Sequence, residues 1–120
     1  MKPSHSLAMI AAMTLLALSP AQGADVPAGQ AGKAIAVDRM KGNCLACHEM
    51  PALGKDNDQP GNLGPALVSL KSKYPERALL RERVWDESKF NPNTSMPPFG
   101  KHRILTEHEI DQVVEFLYGL

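Results

Sequence analysis

The stretch Gly42-Asn43-Cys44-Leu45-Ala46-Cys47-His48 decides how the rest of the chain is read. Two thiols separated by two residues can reach both vinyl groups of one porphyrin. A histidine directly after the second thiol then lies beneath the iron and can offer an imidazole nitrogen. Cys-x-x-Cys-His is the spacing of c-type haem attachment. A thioredoxin-like redox pair would need a βαβ pattern, and the sequence has none. A structural zinc site would need two more well-spaced ligands, and downstream only His102 and His108 remain.

Upstream of the motif, Ala31 to Met40 reads as a helix closed by Gly42, with Ala31, Ala34, Ile35 and Val37 as its apolar positions and Met40 as core. The chain begins differently. Lys2 and His5 precede an apolar run from Leu7 to Leu18, then Ser19-Pro20 and the small residues before Ala24. That layout predicts a cleaved secretory signal peptide over residues 1–23 and a cytochrome domain over 24–120. The apolar run is too short to span a bilayer. Export would suit two cysteines committed to haem, because free buried thiols are unusual in an oxidising compartment.

Downstream, residues 50–66 are dense in Pro, Gly, Asn and Asp and read as an irregular loop. Pro75 opens a helix expected over Glu76 to Glu87. Asn91-Pro92-Asn93-Thr94-Ser95-Met96-Pro97-Pro98 cannot be regular structure, since three prolines fix φ and remove donors. Thr106 with Glu109 forms a capping box, and Ile110, Val113, Val114 and Leu117 follow at helical spacing. The fold expected is all-α, a small class I-like cytochrome c arrangement of three to four helices with long loops around one haem.

Composition agrees. The chain has 120 residues, 43% of them hydrophobic but only 5% aromatic. Burial alone gives a domain of this size a marginal core, and a porphyrin would add apolar mass. Of the 13 Lys and Arg, Lys2 lies in the leader, which leaves 12 basic against 13 acidic side chains. No dense basic run marks a nucleic-acid partner.

With His48 on one side of the iron, the sixth ligand decides the chemistry. Met96 lies in a proline-stiffened loop long enough to pass around the haem edge, and His102 is its rival. His108 starts an amphipathic helix and reads as solvated. A His/Met pair raises the reduction potential and leaves no vacancy for substrate, which makes the iron an electron carrier. Pro65 resembles the proline that in class I cytochromes packs on the histidine side, its carbonyl orienting the imidazole, here that of His48; an ordinary loop proline is the other reading.

The haem motif, Gly61-Asn62-Leu63-Gly64-Pro65, the block from Asn91 to Gly100, and Ile104-Leu105-Thr106 together resemble the SoxX family, the small monohaem subunits of the thiosulfate-oxidising Sox system. The resemblance implies haem c bound through Cys44 and Cys47, with His48 and Met96 on the iron. It also implies a periplasmic heterodimer with SoxA that joins thiosulfate oxidatively to a cysteine of the carrier SoxYZ. In that complex, an L-cysteine S-thiosulfotransferase, the SoxX subunit is the non-catalytic wire that passes electrons to a soluble cytochrome. The cysteine count fits this part: both thiols are committed to haem, and none is left as a nucleophile. The alternative is a free-standing periplasmic shuttle, but the charges are balanced and interspersed, which gives little steering. A lasting partner would instead suit an apolar surface expected around Pro97, Pro98 and Phe99.

Overall fold

A computed structural model describes residues 27–120, so the expected signal peptide and its cleavage site lie outside the described residues. Four α-helices follow in order: α1 (Ala28–Val37), α2 (Leu70–Lys73), α3 (Arg77–Asp86) and α4 (Glu107–Tyr118). Short 3₁₀ turns occupy Cys44–Ala46, Pro51–Asp56 and Glu87–Lys89. The described residues contain no strand, and the arrangement is the all-α one the sequence predicts.

The central packing is α1 across α4. Ile35 and Ala36 of α1 and Ile110, Val113, Val114, Phe116 and Leu117 of α4 are buried together, joined by Leu80 and Val84 of α3. The crossing is close because Gly32 faces the α4 backbone: a Cβ at Gly32 would stand 1.9 Å from the Gln112 carbonyl oxygen. At the start of α4 the capping box is complete. Thr106 Oγ1 accepts from the Glu109 N–H at 3.2 Å, and the Glu109 carboxylate accepts from the Thr106 N–H at 2.9 Å. Arg81 of α3 reaches Asp111 and Glu107 on α4, and Arg77 pairs with Glu115, lacing the outer sides of these helices.

Helix α1 starts and stops three residues earlier than its apolar pattern predicts. Asp38 explains the early stop: its Oδ1 accepts the Met40 N–H at 2.8 Å, while its own carbonyl accepts from Lys41 and Asn43. A short polar side chain competes in this way for backbone donors and turns the chain out of the helix. Met40, expected in the core, is consequently 90% exposed. Met50 takes a core place instead, fully buried. α3 ends one residue inside each expected boundary, because Glu76 is extended as its cap and Asp86 breaks the helix to cap the following turn.

Candidate haem site

Asn43 enters the motif in the left-handed region (φ 46°), and one tight turn follows. The Cys44 carbonyl accepts from Cys47 N–H at 3.2 Å and from His48 N–H at 2.9 Å. These two bonds gather Cys44, Cys47 and His48 within a single turn of backbone. Both cysteines are free thiols and are half-buried. Burial pushes the Cys44 thiol up to about 11, so it stays protonated at neutral pH.

The loop that looked irregular in the sequence is stitched to this turn. Gly61 N–H donates to the Leu45 carbonyl, Gly64 N–H to the Cys47 carbonyl and Leu67 N–H to the Glu49 carbonyl, each at 2.8 Å. Two glycines permit the approach. A Cβ at Gly61 would stand 1.9 Å from the Ala46 oxygen, and one at Gly64 would stand 2.3 Å from the His48 ring. Sequence reasoning gave no role to either; Gly-x-x-Gly before a proline was the available sign. The next carbonyl, that of Pro65, lies 2.7 Å from His48 Nδ1. With a proton on Nδ1 donated to this oxygen, Nε2 keeps its lone pair and the ring is held from behind.

Met96 is half-buried and packs against the same core as Cys44, Leu45 and Leu67. Its N–H is held by Thr94 Oγ1 at 3.0 Å. His102 and His108 are exposed. The apolar surface expected at residues 97–99 is smaller than the sequence suggests: Phe99 is buried in the core at 6% exposure, and Pro98 is half-buried. The exposed large apolar side chains here are Leu63, beside Gly64, and Ile104.

The donor set suits a haem rather than a bare ion. It offers two unjoined thiols and, one turn away, an imidazole with one nitrogen already satisfied. Among the described residues, no three His, Cys, Asp or Glu side chains converge as a metal cage requires.

Comparison with known proteins decides the family. Residues 27–117 match the model for "Cytochrome C oxidase, cbb3-type, subunit III". The chain belongs to this cytochrome c family. A protein of Aquifex aeolicus (strain VF5), described as an uncharacterized lipoprotein, is 34% identical over 79 residues. Those residues make up 65% of this chain but 36% of the relative, so the chain spans about a third of the curated relative it matches. The crystal structure of SoxXA from P. pantotrophus superimposes with a TM-score of 0.67 at 28% identity, over 75% of this chain and 79% of that one. This cytochrome c chain is thus SoxX-like in sequence and fold, an electron-transfer subunit built for haem c. Among the described residues, no helix is long and apolar enough to cross a membrane.

Proposed function

We propose that this chain is the monohaem electron-transfer subunit of a periplasmic SoxAX-type complex. Cys44 and Cys47 would hold the haem through thioether links, and His48 Nε2 and the Met96 sulfur would bind its iron. The observation that carries this reading is the 2.7 Å contact between His48 Nδ1 and the Pro65 carbonyl, one turn from two free thiols. Pro65 and Gly64 fix the imidazole, and the stiff loop presents the thioether. A haem held in this way gains and loses one electron without binding substrate.

The partner is SoxA, on the strength of the likeness to the SoxXA structure. In this reading, electrons come from the oxidative joining of thiosulfate to a SoxYZ cysteine and leave to a soluble cytochrome. Because Cys44 and Cys47 are committed to the porphyrin, the thiol chemistry belongs to the partner.

The test has two parts. Mass spectrometry of the exported protein should show the mass of the polypeptide plus one haem, lost in the Cys44→Ala/Cys47→Ala variant; the bare polypeptide mass would end the proposal. Thiosulfate should then reduce this haem only when SoxA and SoxYZ are both present. The second reading is a free-standing shuttle serving several acceptors, for which the balanced charge gives little steering. On that reading the protein from its native source elutes alone in size-exclusion chromatography, and omission of SoxA leaves its reduction unchanged.

A further inference from the structure

The chain leaves α3 at Glu87, passes Met96, and comes back to the same helix end at Gly100 and Lys101. Trp85 and Asp86, the last two residues of α3, hold both ends of that excursion. The Trp85 carbonyl accepts from Gly100 N–H at 3.1 Å and from Lys101 N–H at 3.3 Å. A Cβ at Gly100 would stand 2.1 Å from the Trp85 indole, so the glycine lies flat on the ring. Asp86 Oδ1 accepts from the Ser88 N–H at 3.1 Å and from its hydroxyl, at the outgoing end. Its other oxygen pairs with Lys101 Nζ at 2.9 Å, at the returning end.

Asp86 is 3% exposed, the one charged side chain buried among the described residues. A buried carboxylate is tolerated only when it is paired and hydrogen-bonded, and an apolar residue of similar size often does as well for stability. The better-attested use of such a charge is to fix register. Here the register fixed is that of the segment carrying Met96. Within that segment, Asn91 N–H is held by the Glu87 carbonyl and Thr94 N–H by the Asn91 carbonyl. Displacement of either end would therefore be passed along to Met96.

We propose that Asp86 and Lys101, with Trp85 and Gly100, form a clasp that keeps the Met96 sulfur seated on the iron. Asp86 and Lys101 are positioning residues: they set how readily an outside ligand displaces the thioether. The inference rests on Met96 as sixth ligand.

The experiment follows cyanide binding to the ferric holoprotein by stopped flow, together with the far-red sulfur-to-iron absorption band. Wild type shows the band and binds slowly. Lys101→Ala and Asp86→Asn should each speed binding about tenfold, the ratio matching loss of one charge-assisted hydrogen bond. The double variant should be no faster than the singles, because both cut the same link. Lys89→Ala, which breaks the exposed pair with Glu82, should leave the rate unchanged. If Asp86→Asn fails to fold, Lys101→Ala still decides, since the Lys101 side chain is 55% exposed. Rates within about twofold of wild type, with the band present throughout, overturn the clasp while sparing the ligation. A wild-type protein without the band that binds cyanide at once overturns the ligation, and the clasp with it.

Discussion

The Pro65 carbonyl oxygen lies 2.7 Å from His48 Nδ1, across a gap that Gly64 keeps narrow by having no side chain. One residue thus turns the imidazole and its neighbour lets the backbone come close enough to do so.

Gly64→Ala tests this relationship. The new methyl would stand 2.3 Å from the imidazole, so the ring or the loop must shift. Overpacking of this kind costs about 1–3 kcal/mol. The expected result is a several-fold lower yield of haem-loaded protein and a changed reduction potential in what remains. A loaded variant with wild-type yield and potential would show that the ring is positioned by something else.

Met96→Ala removes the thioether and leaves both cysteines in place. Haem should stay attached, carbon monoxide should bind the reduced iron, and the potential should fall by on the order of 0.1–0.3 V, part of the roughly 0.8 V that axial ligands span. Potentiometry and the far-red band check this. Persistence of the band would assign the sixth position elsewhere, with His102→Ala as the next variant.

Gly32→Ala and Gly29→Ala, on the same helix, should have opposite effects. At Gly32 the methyl would meet the Gln112 carbonyl at 1.9 Å, whereas at Gly29 nothing lies within 4 Å. The first should cost about 3 kcal/mol and lower the thermal midpoint by about 10 °C or more. The second should cost nothing and gain up to about 1 kcal/mol of helix propensity. Thermal melts followed by circular dichroism separate the two, and equal midpoints would refute the close crossing.

Glu109 gives a pH dependence. Hydrogen bonds from Lys41 and from Thr106 hold its carboxyl below the usual value of 4.5. A group depressed in the folded state contributes stability above its unfolded pKa and loses it as pH falls through the folded value. Glu109→Gln should therefore be less stable than wild type at neutral pH. Its thermal midpoint should also fall less steeply on acidification below about pH 4.5. Parallel midpoint-against-pH curves would show that this carboxylate contributes nothing.

What the sequence reveals here tracks how local the cause is. The haem motif is legible because its chemistry sits in consecutive residues. α4 is legible because its cap, Thr106 with Glu109, lies within one turn of its own start. α1 is found but displaced, since the apolar pattern continues past Asp38 while the Asp38 side chain ends the helix. Met40 is misplaced for the same reason. The tasks of Gly61 and Gly64 are hidden, because each is defined by a backbone arriving from another part of the chain. The clasp is hidden for the same reason: nothing near Asp86 in sequence announces Lys101. Phe99 looks like surface beside two prolines, and only the return of the chain to Trp85 turns it inward.

The tight meeting of α1 with α4 at Gly32 also constrains the timing of assembly. These helices are the first and last of the described chain, so their union is a contact of long sequence separation, which carries a large loop-closure cost and slows folding. With Cys44 and Cys47 joined to a porphyrin, undoing that crossing would loosen the pocket around the haem but would not release it.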